Sequence, residues 1–192
     1  MSTRDRPPTS ASESTPERGA SVRGWATELG PMPTSCRMTT VDERMVSAPM
    51  SRMFMLAADV ERWPAHLRHY RHVRLLERDP AGGGLVEMSA NRPFGAADWP
   101  TWWVSEMEVR APGGVLPPAI RFRPVRGITT GMEVEWSFAP TTGGTQVRIV
   151  HDWNGPRWPV IGGVVATYVI GPIFIHGIAS RTLAGLARAA ER

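Results

Sequence analysis

The sequence predicts a single α+β domain in which a bent antiparallel sheet wraps around a long C-terminal helix, with two short helices after the first strand. Three observations predict this class. Strands and turns fill the middle of the chain, apolar residues at helical spacing occur only before and after this middle part, and a long uncharged stretch lies near the C-terminus. At 192 residues the chain fits one domain and can bury a substantial core.

The first part of the chain has the composition of a disordered tail. Up to about residue 36 it is rich in Ser, Thr, Pro, Glu and Arg, which cannot bury a core. It contains no apolar segment of the kind that directs secretion. Cys36 is the one cysteine in the sequence, so an internal disulfide is excluded. We therefore expect a disordered tail over residues 1–36, a ligand-binding domain over residues 37–192, and a cytoplasmic location.

Residue spacing predicts the elements that follow the tail. Residues 38–46 alternate between apolar and polar and predict the first strand. Two short helices are predicted next, the first from Met50 to Ala58 and the second from Val60 to about Arg68. Turns rich in Gly and Pro then separate six further strands. We predict these strands at residues 73–77, 85–90, 101–109, 119–125, 132–138 and 145–153, with a longer loop over residues 91–100.

The stretch from Trp158 to Ser180 contains no Asp, Glu, Lys or Arg. Its length permits a transmembrane helix, but Pro159, Pro172 and several glycines interrupt it, and it follows a sheet typical of a soluble domain. A helix that is apolar on all sides is also what fills the concave face of a sheet. We therefore favour a buried or cavity-capping helix over a membrane span, with peripheral membrane contact as a third alternative.

The charged residues exclude several classes of function. All 22 basic residues are arginines, so catalysis through a lysine Schiff base is excluded. The arginines are scattered among acidic residues, and we expect no nucleic-acid partner. His66, His69 and His72 are interleaved with arginines that would repel a cation, which argues against a metal site. The sequence also lacks the common nucleotide-binding and hydrolase motifs.

Local motifs support the predicted order of elements. Residues 58–70 fit the pattern D-x-x-x-W-P-x-x-x-x-x-Y, residues 103–105 fit W-x-S, and residues 131–136, 143–145 and 151–153 form the last hairpin. These stretches resemble the polyketide cyclase/dehydrase family of START-like (SRPBCC) proteins, which includes aromatic polyketide aromatase/cyclases and is similar to ubiquinone-binding START-like proteins. The resemblance covers about residues 38–190 and implies the helix-grip fold.

The resemblance implies a cavity that binds a poly-β-keto chain and guides its aldol cyclisation and dehydration. The resemblance implies that no cofactor is needed. It also implies that the partner is a hydrophobic small molecule presented by an acyl carrier protein. The same fold also hosts proteins without catalytic activity. A non-catalytic carrier of a lipid, quinone or other hydrophobic metabolite is therefore the alternative, followed by a regulatory binding protein.

Candidate catalytic residues come from strand alternation and from the family resemblance. Strand alternation places His151 among apolar residues facing the cavity, where it can act as an acid or base or serve as a hydrogen-bonded core histidine. The resemblance adds Tyr70 and Ser105 as pocket residues. It also adds Arg123, which is able to point to solvent instead.

Candidate ligand-binding residues are mostly aromatic or apolar. Alternation places Val134 and Trp136 on the cavity side of one strand, and Trp103 and Met107 on the same side as Ser105 in another. Trp63 offers a flat surface to an aromatic ring or anchors the packing beside its proline. Related aromatase/cyclases carry an arginine where this chain has Met107, and a thioether cannot donate a hydrogen bond or carry charge.

Overall fold

The structure, a computed structural model, describes residues 28–94, 97–155 and 175–192. It contains one seven-stranded antiparallel sheet with the order β1-β7-β6-β5-β4-β3-β2. The strands are β1 (Met38–Val46), β2 (Tyr70–Arg78), β3 (Gly83–Phe94), β4 (Ala97–Arg110), β5 (Ala119–Gly127), β6 (Glu133–Thr141) and β7 (Gly144–Trp153). Two short helices follow β1, and a longer helix ends the chain: α1 (Met50–Ala58), α2 (Trp63–His66) and α3 (His176–Ala190). The predicted fold class is confirmed.

Two predicted elements differ from the structure. The second helix is split into a 3-10 helix (Val60–Arg62) and the single turn of α2, and it ends at His66 because the chain becomes extended at Leu67. The predicted loop over residues 91–100 is wrong, since β3 and β4 stay paired from Asn91–Pro100 to Phe94–Ala97. Proline is tolerated in this hairpin because the hairpin projects beyond its neighbours: β2 pairs with β3 no further than Ala90, and β5 pairs with β4 only from Trp103 onward.

Helix α3 packs one face against the rest of the domain. Its buried residues follow helical spacing and include Ile178, Thr182 and Leu186. Gly185 faces Leu67, the residue after α2, so closely that a β-carbon there would collide with the leucine side chain. The absence of a side chain at Gly185 therefore lets α3 approach the segment between α2 and β2.

Most of the stretch from Trp158 to Ser180 lies outside the described residues, which resume at residue 175. The prediction that this whole stretch packs inside the sheet therefore stays a prediction. Within the described part of the chain, no helix has the length and apolar character needed to cross a membrane.

The segment before β1 makes contacts that its composition did not predict. Leu29 is buried, its N–H donates to Glu108 over 2.8 Å, and its carbonyl accepts from Arg123 over 2.6 Å. The expectation of a contact-free tail up to residue 36 is therefore wrong at this point, while residues 1–27 lie outside the described residues. The attachment depends on backbone groups, which every residue carries whatever its side chain.

Candidate functional site

A cleft lies between the inner face of the sheet and α3. Its empty volume is about 570 Å³ including the open mouth, and about 70 Å³ of it admits the centre of a water molecule. Sites for small organic ligands generally measure roughly 300–1,000 Å³. The volume that admits the centre of a water molecule lies below this range, so the cleft is narrow. We call this cleft the cavity.

Packed aromatic rings form one wall of the cavity. The ring centroids of Trp63 and Tyr70 are 5.2 Å apart at 72°, and those of Trp63 and Trp136 are 5.7 Å apart at 36°. Two further rings continue the wall. The ring centroid of Phe122 is 6.1 Å from that of Trp63, and the ring centroid of Trp103 is 6.2 Å from that of Tyr70. Such edge-to-face and tilted contacts stabilise aromatic clusters beyond their burial alone. The wall therefore offers flat apolar surfaces to a ligand.

The position of Trp63 is fixed by its polar end. Its indole N–H donates to the carbonyl of Leu56 in α1 over 3.1 Å. The ring is buried and packs against the rings of Tyr70 and Trp136. Trp63 thus anchors the packing between α1 and α2 and lines the cavity as well, so both sequence interpretations of this residue describe it.

Four small polar side chains interrupt the apolar lining. Ser105 comes from β4, Thr129 from the turn between β5 and β6, His151 from β7 and Thr182 from α3. Among the described lining residues there is no Asp, Glu, Lys or Arg. The site therefore combines aromatic surface with hydroxyl and imidazole groups, and lacks a permanent charge in its described part.

Seven of the nine residues proposed from the sequence line this cavity. They are Trp63, Tyr70, Trp103, Ser105, Val134, Trp136 and His151. Alternation explains the strand residues, because Val134 and Trp136 share the inner face of β6, opposite His151 and Ile149 of β7. The two exceptions are Arg123 and Met107.

Arg123 lies on the outer face of the sheet, away from the cavity. Its neighbours Phe122 and Pro124 face the cavity, so alternation directs Arg123 outward. There its guanidinium contacts Glu133 at 2.5 Å and Glu106 at 3.7 Å. The structure therefore does not bring Arg123 together with the other candidate catalytic residues.

Arg123 belongs to a group of ion pairs that we call the outer-face cluster. Its members are Glu106, Glu108, Arg110, Arg121, Arg123, Glu133 and Glu135. Arg121 lies at its centre and is almost fully buried, with Glu133 at 3.0 Å and the carbonyl of Gly30 as a further partner. The cluster therefore holds the N-terminal segment against the sheet.

Met107 is buried in the hydrophobic core and is absent from the described cavity lining. It faces inward like Ser105 but lies two residues further along β4, directly opposite Phe122. Phe122 reaches the cavity from that level, and Met107 lies beside it in the core.

Thr129 and Thr182 were missed by the sequence argument. Thr182 Oγ1 lies 3.0 Å from His69 Nε2, and the His69 ring packs on Tyr70 with a centroid separation of 4.9 Å. Burial, helped by the positive charge of Arg181, lowers the pKa of His69 to about 4, so its ring is neutral at pH 7. Helical spacing with Ile178 and Leu186 was the available signal for Thr182. For Thr129 the signal was a turn containing two glycines.

A second polar contact joins α3 to the sheet. His176 Nδ1 lies 2.7 Å from a carboxylate oxygen of Asp42 in β1, one residue from the cavity-lining Ile175. Burial raises the pKa of Asp42 above its ordinary value, and the contact with His176 opposes that rise. Among residues 28–94, 97–155 and 175–192, no three His, Cys, Asp or Glu side chains are grouped to hold a metal ion.

The sheet, the C-terminal helix and the cavity between them define a helix-grip domain. Residues 46–168, more than half of the chain, match the family described as "Polyketide cyclase / dehydrase and lipid transport". The chain belongs to this family.

Solved structures show the same fold at low sequence identity. The Zhui aromatase/cyclase from Streptomyces sp. R1128 is 18% identical, with a TM-score of 0.62 over 81% of this chain and 94% of that one. The protein TTHA0849 from Thermus thermophilus is 20% identical, with a TM-score of 0.63 over 80% and 97%. A START superfamily protein from Mycobacterium smegmatis is 18% identical, with a TM-score of 0.52 over 80% and 93%.

Proposed function

We propose that this protein binds a hydrophobic poly-β-keto or polycyclic intermediate in the cavity and promotes its aldol cyclisation and dehydration. One observation carries the proposal: Tyr70, Ser105 and His151 all line an otherwise apolar, aromatic-walled cavity in a member of the polyketide cyclase/dehydrase family. An acyl carrier protein is the partner that would present such a chain, and the cytoplasm is the location we predict.

The lining groups suit the steps of this reaction. The aromatic wall restricts a flexible chain to a folded conformer in which the reacting carbons approach each other. His151 takes the proton from a carbon between two carbonyls, and the resulting enolate carbon bonds to a second carbonyl carbon. Tyr70 and Ser105 donate hydrogen bonds to the oxygen that becomes negative. The protonated His151 returns the proton to this oxygen, which becomes a hydroxyl. In the dehydration, His151 takes the remaining proton from the former enolate carbon and passes it to the departing hydroxyl, which leaves as water as the C=C bond forms.

A non-catalytic carrier is the second candidate. It is favoured by the lack of any Arg or Lys among the described lining residues, since Arg123 lies on the outer face and Met107 is in the core. A carrier needs the apolar wall but no proton transfer. Variants of the polar and the aromatic residues therefore separate the two functions.

The test compares Tyr70→Phe and His151→Gln with the wild type in an assay that supplies an uncyclised poly-β-keto chain. If the protein is a cyclase, removing one donor to a developing oxyanion lowers the rate by about 10²–10³-fold, while ligand affinity changes little. Unchanged product yield in both variants would reject the enzyme function and leave the carrier.

Trp136→Ala tests the binding role itself, with Phe138→Ala as the matched control. Both side chains are buried on the inner face of β6, but of the two only Trp136 is among the described lining residues. We expect the tryptophan variant to lose at least about tenfold in affinity through lost apolar contact, and the phenylalanine variant to lose stability with little loss of affinity. Equal affinities in both variants would contradict binding at this wall.

A further inference from the structure

Two hydroxyl groups in the cavity wall are buried without a hydrogen-bond partner among the described residues. They belong to Ser105, which is 0% exposed, and Thr129, which is 1% exposed. Leaving a buried hydroxyl unsatisfied costs roughly 1–3 kcal/mol, and native proteins rarely do so without a reason. Both residues line the cavity, so a ligand is the group that would satisfy them.

The turn that carries Thr129 is held firmly. Thr130 Oγ1 donates to the carbonyl of Gly127 over 2.7 Å, and the Gly131 N–H donates to Pro124 over 2.9 Å. Trp153 Nε1 donates to the carbonyl of Thr130 over 3.3 Å. Gly127 adopts a φ of 99°, in the region that favours glycine. The backbone around Thr129 is therefore fixed, and its side chain is positioned before any ligand arrives.

Ser105 reaches the same end of the cavity from β4. It pairs with Pro124 of β5, at a register shift between Val104 and Ser105. Pro124 also accepts the hydrogen bond that anchors the turn of Thr129. Irregularities of this kind commonly redirect side chains next to functional sites. Pro124 thus connects the strand position of Ser105 with the turn of Thr129, and both residues line the cavity.

The chemistry around them limits what they bind. None of the described lining residues is an Asp, Glu, Lys or Arg, so no permanent charge there balances a charged ligand. A buried carboxylate without a partner is strongly unfavourable. A carbonyl oxygen, in contrast, has two lone pairs and accepts two hydroxyl donors. Building on the function proposed above, we propose that Ser105 and Thr129 form a subsite for the carbonyl oxygen of a neutral aromatic ketone or quinone.

The test uses three probes of nearly the same shape: 2-acetylnaphthalene, its hydrocarbon analogue 2-isopropenylnaphthalene, and 2-naphthoate. Calorimetric titration of the wild-type protein is expected to give the tightest binding for the ketone, and the weakest for the carboxylate. Each neutral hydrogen bond contributes about 0.5–1.5 kcal/mol, or about 2-fold to 10-fold in affinity. Ser105→Ala and Thr129→Val should each reduce ketone affinity by that factor and leave hydrocarbon affinity unchanged or higher.

Two further variants control for folding and for the loss of a hydroxyl as such. Thr129→Ser keeps the hydroxyl and should retain the preference for the ketone. Thr142→Val removes an exposed hydroxyl from the turn between β6 and β7, outside the cavity lining, and should leave the preference unchanged. Equal wild-type affinities for ketone and hydrocarbon, or a preference for the carboxylate, would overturn the subsite while leaving ligand binding intact. Failure of all three probes to bind would overturn the binding function together with the subsite.

Discussion

The inner and outer faces of strands β4 to β6 use alternate residues of the same strands for opposite purposes. On the outer face, Arg121 and Glu133 are paired in an ion-pair cluster that also binds the N-terminal segment. On the cavity side, Ser105 of β4 and Thr129 of the turn between β5 and β6 have hydroxyls without a partner among the described residues. The polar groups of the outer face thus serve the fold, whereas these two hydroxyls on the cavity side remain available to a ligand.

This contrast decides which chemistry the cavity has. In β5, Phe122 and Pro124 face the cavity and Arg123 between them faces outward. Because side chains alternate along a strand, a register shift of one residue would exchange the two sets. The arginines of this region therefore contribute to the stability of the fold, and the polar groups of the described cavity lining are hydroxyl and imidazole groups.

The largest expected effect is on the outer face, from Arg121→Leu. The arginine side chain is 2% exposed, and its loss leaves the carboxylates of Glu133 and Glu135 without their central partner. Breaking a buried ion pair by removing one member costs about 3–5 kcal/mol. We expect urea denaturation to show a loss of this size, with ligand affinity in the cavity unchanged.

Arg148→Leu is the control for this variant. Arg148 contacts Glu43 at 2.9 Å, but both side chains are about half exposed, and such pairs contribute roughly 0–1 kcal/mol. A similar loss in both variants would mean that burial of Arg121 adds nothing, and the distinction between the outer-face cluster and ordinary surface pairs would disappear.

Periodicity predicted the strands and the cavity-facing residues Val134, Trp136 and His151, because a two-residue repeat assigns a face directly. It did not predict the contacts of Leu29, which depend on backbone hydrogen bonds to charged side chains far along the chain. Arg123 was misplaced because the resemblance suggested a pocket role, whereas the alternation of its own strand directs it outward. Thr129 was missed because it lies in a turn, where no periodicity indicates which way a side chain points.

The second prediction concerns the pH dependence of stability beside the cavity wall. His69 is half-buried, with a pKa near 4 in the folded protein and an ordinary value of 6.5. The unfolded chain binds more protons between these values, so the stability that the neutral ring provides is fully present above about pH 6.5 and is lost as the pH falls towards 4. The loss amounts to at most about 3 kcal/mol.

His69→Gln isolates the contribution of His69 to the pH dependence of stability. The Asp and Glu side chains are the same in both proteins, so their titration affects both alike. The glutamine keeps a polar group facing Thr182 and does not titrate. Denaturation of both proteins from pH 7.5 to 4 should show the wild type losing stability relative to the variant. His66→Gln controls for loss of an exposed imidazole from the same segment. A constant difference between wild type and His69→Gln across the range would contradict the burial of a neutral ring.

The smallest expected effect concerns the segment that covers the outer-face cluster. Leu29 is 4% exposed, and its backbone accepts from Arg123 and donates to Glu108. Leu29→Ala keeps these backbone hydrogen bonds and removes the buried side chain. We expect a loss of about 2 kcal/mol, at the low end for buried leucines, because a segment without regular structure can close part of the gap.

Leu116→Ala, at a leucine that is 61% exposed beside the same segment, is the matched control and should change stability by less than about 0.5 kcal/mol. Ligand affinity should be the same in both variants, because neither side chain is on the inner face. If Leu29→Ala instead weakened ligand binding, the two faces would be coupled through the sheet, and the separation of a structural outer face from a binding inner face would fail. If it changed neither stability nor binding, the segment would contribute only through its backbone contacts to the cluster.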